Sequence, residues 1–140
     1  MRFVDTNVLL YAVSTAPDEE AKRQIALALL EADDLSLSVQ VLQEFYVQAT
    51  RANKPERLEH EQAALLIESF LRFPVQQTTV SLMQAALAAR ERFQINYWDA
   101  AIVEAARTLG CGTLLSEDLA HDRDYDGVRV ENPFRDFPAG

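Results

Sequence analysis

The sequence predicts an α/β fold, a three-layer α/β/α sandwich with a central, mainly parallel sheet. Short apolar runs typical of strands alternate along the chain with longer segments in which apolar residues recur at helical spacing. This alternation favours parallel strands side by side, with helices covering both faces of the sheet. The chain has 140 residues and no repeat or low-complexity tract. We therefore expect one domain over residues 1–140.

Strands are predicted where brief apolar or alternating runs end in polar residues. RFV and GTLLS each run directly into an acidic segment, and LSLSV alternates polar with apolar residues. PVQQ follows a proline, and GVRVENPF holds the last apolar run of the chain. The expected strands are Arg2–Val4, 35–39, 74–77, 112–116 and a short strand within 127–134.

Helices are predicted where apolar residues recur three and four positions apart. Pro17 and the acids after it favour a helix start, because proline fits the first helical position and acids interact well with the positive end of the helix dipole. Pro74 stops one helix, and Gly110 suits the left-handed residue that follows another. The expected helices are at about 8–11, 17–30, 39–52, 58–72, Val80–Phe93 and 97–110.

The composition indicates in which cellular compartment the protein is expected. Cys111 is the only cysteine, so no internal disulfide is possible and a reducing cytoplasm is the natural setting. Asp5 interrupts the first apolar run, so the start of the chain does not resemble a signal peptide. No stretch approaches the roughly 18 uncharged apolar residues of a membrane helix. We expect a cytoplasmic protein with no membrane partner.

The net charge gives two opposite indications about nucleic acid. The formal charge is −9, from 22 acids and 13 Lys and Arg residues. Phosphate binding normally needs a basic surface, so the overall charge argues against it. Clustered carboxylates, however, bind divalent cations, and those cations then contact phosphate. The positions of the acids must decide between the two.

Four acids stand where a parallel sheet would bring them together, since such sheets bind ligands beyond the carboxyl ends of their strands. Asp5 and Asp118 each follow a predicted strand, Asp99 lies in the first turn of a helix, and Glu44 borders a buried helix face. Asp99 is expected to be packed between Trp98 and the apolar run that follows it, where few positions look solvated. Each has an ordinary alternative role. Asp5 would cap a helix, Asp118 would sit in a polar turn, Asp99 would favour the helix dipole, and Glu44 would be solvated.

Together the four acids predict a metal site. Mg²⁺ and Mn²⁺ prefer oxygen ligands and keep several waters, so a few carboxylates suffice. A metal held in this way lowers the pKa of a bound water and neutralises charge on a phosphodiester. Asn7 and Ser116 would then hold the acids or the attacking water.

Other catalytic arrangements are poorly supported. Two histidines and one cysteine do not give zinc-ligand spacing, and no glycine-rich phosphate loop is present. Spacing alone leaves a Cys–His nucleophile pair open, although Cys111 between two glycines suggests a structural role. The acidic run HDRDYDG (121–127) is expected to be a solvated loop.

The segments FVDTNVLLY, VLQEFY, NYWDAAIVEAA, TLLSEDLAHD and GVRVENPF together resemble the PIN domain. More narrowly, they resemble the VapC-type toxin ribonucleases of bacterial toxin–antitoxin operons, over essentially the whole chain. The resemblance implies RNA cleavage that depends on Mg²⁺ or Mn²⁺. Residue by residue, the family's acidic quartet and polar helpers match Asp5, Glu44, Asp99, Asp118, Asn7 and Ser116.

The resemblance also implies partners: an RNA substrate, a second copy in a homodimer, and an antitoxin whose tail lies over the helices near the active groove. Asp122 is an additional candidate acid. Local basic groups would have to hold the RNA, unless they are simply solvated surface. The candidates are Arg51, Lys54, Arg57, Arg90 and Arg92.

Three other functions stay open. The first is a PIN-type nuclease that is not a toxin. The second is a non-catalytic module that binds RNA or a protein through the same scaffold. The third is a phosphohydrolase with Asp5 as nucleophile, which would want a second acid two residues later, where Asn7 stands.

Overall fold

A parallel sheet forms the centre of the computed structural model, which describes residues 1–135. Its five strands within this range run in the spatial order β3-β2-β1-β4-β5, and every neighbouring pair is parallel. The strands are β1 (Arg2–Val4), β2 (Leu35–Ser38), β3 (Val75–Gln76), β4 (Thr113–Leu115) and β5 (Arg129–Glu131). The predicted α/β fold with a central parallel sheet is confirmed.

Within the same residues, six helices flank the sheet: α1 (Thr6–Ala12), α2 (Glu20–Leu30), α3 (Val39–Ala49), α4 (His60–Phe70), α5 (Val80–Phe93) and α6 (Tyr97–Thr108). α1 packs against α2 and α3, while α5 packs against α6, which also contacts β2 and β4. None of the helices in the described part of the chain is long and apolar enough to cross a membrane.

Several predicted boundaries differ by a few residues, because caps end or begin the helices. Ser38 caps α3 by accepting a hydrogen bond from the Val41 N–H at 3.3 Å, so Val39 belongs to the helix and not to the strand. α4 begins at His60, after a reciprocal cap between Glu59 and Gln62. Pro17 starts a short 3-10 turn that precedes α2, rather than α2 itself.

Gly110 ends α6 as the sequence predicts. Its φ is +78°, a left-handed conformation that glycine adopts without steric cost. The Gly110 N–H donates to the Arg107 carbonyl at 3.0 Å, and the Cys111 N–H donates to the Ala106 carbonyl at 2.9 Å. These two bonds are the Schellman pattern, which satisfies the last carbonyls of the helix and turns the chain into β4.

The two central strands place the polar segments that come after them side by side. Val4 of β1 pairs with Leu115 of β4, and the Asp5 N–H donates to the Leu115 carbonyl at 3.0 Å. Phe3 and Leu114 are fully buried beneath this edge. Asp5 and Ser116 therefore lie side by side at the carboxyl edge of the sheet, directly after buried apolar residues.

The segment 121–127 is only partly the solvated loop that the sequence predicts. Its acids are exposed, but Tyr125 is buried at 1% exposure. The Tyr125 ring packs edge-on against Phe93, with 5.2 Å between the ring centres, and Arg123 lies over its face at 4.5 Å. An aromatic anchor thus ties this acidic turn to the end of α5.

Candidate active site at the carboxyl edge of the sheet

Asp5 is a buried carboxylate held by one hydrogen bond on each oxygen. It is the N-cap residue of α1, and its Oδ1 accepts from the Thr6 N–H at 2.7 Å. Its Oδ2 accepts from the Ser116 hydroxyl, also at 2.7 Å, and only 6% of the residue is exposed. The alternative role as a helix cap is therefore correct, and it coexists with a position at the mouth of the edge.

Burial makes the charged form of Asp5 unfavourable. It raises the pKa of Asp5 to about 6, although the hydrogen bonds from Ser116 and Thr6 act in the opposite direction. The negative charges of Asp118 and Glu44 raise this pKa further. The site thus concentrates negative charge around a carboxylate that is already short of solvation.

Ser116 and Asn7 connect the ends of β1 and β4. The Ser116 hydroxyl, fully buried, donates to Asp5 and accepts from the Asp118 N–H at 3.1 Å and from the Asn7 amide at 3.4 Å. The same Asn7 Nδ2 donates to Asp118 Oδ2 at 3.2 Å, and Asn7 Oδ1 accepts from the Glu117 N–H at 3.2 Å. The two polar residues therefore fix Asp118 relative to Asp5, as expected for groups that position the acids.

Glu44 and Asp99 approach the same edge from helices. Glu44 Oε2 accepts from the Thr6 hydroxyl at 2.9 Å, and its Oε1 accepts from the Gln40 amide at 2.9 Å. Asp99 lies in the first turn of α6 and exchanges two hydrogen bonds, each 2.9 Å, with the N-cap residue Asn96. Both acids are half-buried.

The four acids lie within electrostatic reach of one another. Burial is the largest cause that raises the pKa of Asp99, and the charges of Asp118 and Glu44 add to it. The same two charges act on Asp5. The four carboxylates that the sequence singled out are thus linked by their charges, through the effects of Asp118 and Glu44 on Asp5 and on Asp99. This set of Asp5, Glu44, Asp99 and Asp118 is called the acidic edge.

One expectation about Asp99 is wrong. The sequence suggested that few positions around it would be solvated, with Trp98 helping to bury it. Residues 100–106 are indeed buried, but Trp98 is 64% exposed. Trp98 precedes the buried face of α6 and is not part of it, so burial of Asp99 comes from its other neighbours.

A partly buried ion pair supports the segment that carries Asp118. Lys22 Nζ donates to Glu117 Oε2 at 2.7 Å, and the Tyr11 hydroxyl donates to Glu117 Oε1 at 2.6 Å. The Lys22 side chain is 11% exposed and also donates to the Tyr11 hydroxyl at 3.2 Å. The hydrogen bond to Glu117 raises the pKa of Lys22. Lys22 could not be predicted as a functional residue, since a single lysine on a helix carries no sequence signal. Glu117 could have been, because it stands directly beside Asp118.

A cleft of about 300 Å³ opens over this region, and its lining includes Glu44, Asp118, Glu117 and Lys54. Lys54 is the only cation in that lining. Arg92 lies 3.0 Å from Asp126, and Arg90 lies 3.7 Å from Glu91, so both have acidic neighbours elsewhere. The basic candidates are therefore not equivalent, and Lys54 is the one that borders the cleft.

Asp122 and the second histidine lie apart from that lining. Asp122 is exposed, with a φ of +68°, and its carboxylate lies 3.3 Å from His121 Nε2. The cleft lining does not include it. Across residues 1–135, no three His, Cys, Asp or Glu side chains are close enough together to form a ready cation-binding group. The carboxylates of the acidic edge instead accept hydrogen bonds from hydroxyl and amide groups.

Comparison with known proteins decides the family. Residues 2–125 match the PIN domain family. The chain belongs to this family. A search of curated proteins gave no match.

Solved structures share the PIN fold of this chain at low sequence identity. FitAB bound to an IR36 DNA fragment has a TM-score of 0.70 and 18% identity, covering 96% of both chains. VapC20 of Mycobacterium tuberculosis, described as a sarcin-ricin loop cleaving toxin, has a TM-score of 0.65 and 19% identity, covering 84% of this chain and 92% of VapC20. VapBC2 of Rickettsia felis, bound to a promoter DNA fragment, has a TM-score of 0.64 and 20% identity, covering 94% and 97%.

Proposed function

We propose that this PIN domain protein is a divalent-metal-dependent endoribonuclease and the toxin of a toxin–antitoxin pair. The observation that carries the proposal is the acidic edge itself. The charges of Asp118 and Glu44 act on both Asp5 and Asp99, and among the described residues no cation pairs with any of the four. Asp5 is buried and Glu44 and Asp99 are half-buried, so their unpaired negative charges are costly, and a bound cation would offset that cost.

The donor set fits Mg²⁺ or Mn²⁺. Asp5, Glu44, Asp99 and Asp118 offer only oxygen ligands, and a few carboxylates leave room for the waters that these ions retain. Burial, and to a smaller extent the charges of Asp118 and Glu44, raises the pKa of Asp5 and of Asp99, and a bound cation would favour their charged forms. Ser116 and Asn7 would keep Asp5 and Asp118 oriented in the bound state.

A bound divalent ion would supply Lewis acidity, acidifying a water and neutralising charge on the phosphodiester. The protein supplies position: each oxygen of Asp5 accepts a hydrogen bond, so its carboxylate is already oriented before RNA would enter. The reaction is a hydrolysis, in which the water oxygen bonds to phosphorus, one P–O ester bond breaks, and the leaving oxygen takes a proton. Lys54, at the border of the cleft, would contact a flanking phosphate.

The structural neighbours support the biological assignment. VapC20 is named as a toxin that cleaves the sarcin-ricin loop, and other neighbours were solved as toxin–antitoxin complexes, one of them from Klebsiella pneumoniae. By the same likeness we propose a cognate antitoxin, a homodimer, a cytoplasmic location and a single nuclease domain over residues 1–140.

The test is RNA cleavage by the purified protein with Mg²⁺ or Mn²⁺, compared with excess chelator. We expect cleavage only with the metal, and we expect Asp5→Asn to lose it while the circular dichroism spectrum is unchanged. Asp33→Asn is the matched control, because Asp33 is an exposed aspartate that precedes β2. Wild-type cleavage by Asp5→Asn, or cleavage in chelator, would refute the metal assignment.

The toxin assignment needs its own test, because a nuclease can have another biological role. Induced expression in bacterial cells should arrest growth, and the Asp5→Asn variant should not. Normal growth with the active enzyme at a high level would favour a PIN-type nuclease that is not a toxin.

A further inference from the structure

We propose that a groove beside the acidic edge binds an unpaired nucleobase of single-stranded RNA. The groove has a volume of about 350 Å³ and is called here the Trp98 groove. Its lining includes Trp98, Gln40, Gln43, Val47, Gln48 and Arg51. The inference deepens the proposed function, on which its choice of RNA as the ligand rests.

Trp98 is an exposed aromatic surface in an unusual place. It is 64% exposed, although large aromatic side chains dominate buried cores and interfaces. Its one aromatic neighbour among the described residues is Tyr97, which meets it edge-on at 5.0 Å between ring centres. Val47, 61% exposed, adds apolar surface to the same groove. Unstacked RNA bases bind to aromatic faces of this kind.

The rest of the groove has the polar groups that a base requires. Gln43 and Gln48 both lie on α3 in the groove lining, and each amide offers both a donor and an acceptor to the edge of a base. Arg51 is exposed just beyond the helix, and its guanidinium can stack on a base or contact a phosphate. The Trp98 groove is thus lined mainly by apolar, amide and guanidinium groups, with Glu44 as its one acid, whereas the acidic edge offers only carboxylates.

Gln40 joins the groove to the acidic edge. Its Nε2 donates to Glu44 Oε1 at 2.9 Å and to the Trp98 carbonyl at 3.2 Å, which ties α3 to the start of α6. Glu44 itself lines both the groove and the cleft over the acidic edge. Trp98 also directly precedes Asp99 in the chain. If a phosphate of an RNA chain lay at the acidic edge, a neighbouring nucleobase of that RNA would therefore lie beside the Trp98 groove.

The net charge of the protein favours a base contact as a source of RNA affinity. Most non-specific RNA affinity comes from cationic groups that neutralise phosphates. With a net charge of −9, this chain gains little from that source. Stacking on an aromatic side chain does not depend on net charge, so it supplies affinity where phosphate contacts are few.

Trp98 is the only tryptophan of the chain, so its fluorescence reports on the groove directly. The experiment titrates the full-length protein, in chelator and low salt, with a short single-stranded oligoribonucleotide. An abasic oligomer of the same length is the control, because it keeps the phosphates and lacks the bases. We expect quenching with the base-bearing oligomer and none with the abasic one. Equal effects of the two oligomers, or no quenching by either, would overturn the proposal.

Variants separate stacking from folding. Trp98→Ala should weaken oligoribonucleotide binding about ten-fold or more, measured by anisotropy of a labelled oligomer, and Trp98→Tyr should restore most of it. Leu65→Ala is the matched control, since Leu65 is an apolar side chain that is 72% exposed on α4. Unchanged binding by Trp98→Ala would overturn the proposal, as would a change in oligomeric state without a change in binding.

Base binding in the Trp98 groove and RNA hydrolysis at the acidic edge can be tested separately. If base-dependent quenching occurs without any cleavage under metal, the groove stands and the proposed hydrolysis fails. If metal-dependent cleavage occurs with identical KM in wild type and Trp98→Ala, the nuclease stands and the groove is refuted. We expect a raised KM with kcat largely retained.

Discussion

The acidic edge and the acidic turn at 121–127 hold similar side chains but balance their charges differently. In the turn, the Asp126 carboxylate lies 3.0 Å from Arg92, and Asp124 accepts from the Gly127 N–H at 2.7 Å and lies 3.9 Å from Arg129. At the edge, Asp5 is held by a hydroxyl and a backbone N–H, and burial raises its pKa to about 6. The turn is a neutralised surface, whereas the edge retains its negative field.

This difference shows that acid density along a sequence does not identify a cation site. The run HDRDYDG holds three acids in seven residues, but all three are exposed, and Asp124 and Asp126 have arginine neighbours. The acids of the edge come from four distant segments and share one another's field. Unbalanced charge in a half-buried place is the property that points to a bound cation.

The largest expected difference between the two regions is in metal affinity. Asp99→Asn should weaken Mg²⁺ binding at least about a hundred-fold, because even residues that only orient metal ligands affect affinity by that order. Isothermal titration calorimetry measures it, with Asp126→Asn as the matched control in the turn. Equal losses in the two variants would show that the ion is held by general negative charge and not by the edge.

The second difference is in the pH dependence of stability without metal. Burial raises the pKa of Asp5 from 3.8 in the unfolded chain to about 6 in the folded protein, so the folded state keeps its proton to a higher pH. The contribution of Asp5 to stability is therefore complete below about pH 4 and is lost as pH rises through about 6, up to about 3 kcal/mol. Urea unfolding across this range should show the fall, and Asp5→Asn should lack that component.

The same urea unfolding series in saturating Mg²⁺ tests whether the ion binds at Asp5. A bound cation favours the charged carboxylate, so the fall in unfolding free energy with rising pH should shrink or reverse. An identical pH profile with and without the ion would contradict a metal site at Asp5.

The smallest expected difference is between two ion pairs. A double-mutant cycle on Lys22→Met and Glu117→Gln should give a coupling energy of about 1–3 kcal/mol. The reason is that the Lys22 side chain is only 11% exposed, so Glu117→Gln leaves a nearly buried ammonium without its carboxylate partner. The equivalent cycle on Arg92→Met and Asp126→Asn should give less than about 1 kcal/mol, since both side chains are 62% exposed. Thermal or urea unfolding gives both values. Equal couplings would mean that Glu117 is not a structural support of the segment carrying Asp118.

Most of the fold could be predicted from the sequence because its signals are local. Apolar periodicity located the strands and helices, and the glycine after α6 was predicted from the left-handed conformation that this position requires. The errors lie at helix ends, where side-chain caps such as Ser38 decide which residue is the first of the helix. Those hydrogen bonds depend on the path of the neighbouring chain, which local periodicity does not report.

The sequence by itself predicted that Asp5 and Asp118 would lie at one edge of the sheet, because the parallel α/β pattern brings the ends of β1 and β4 together there. Only the tertiary structure decided how they are held. The Ser116 hydroxyl joins segments 111 residues apart, and Lys22 supports Glu117 across 95 residues. Likewise, the sequence led us to expect Trp98 inside and the fold leaves it exposed. Hydrogen bonds and exposure of this kind arise from contacts between distant segments, and they exist only once the chain has folded.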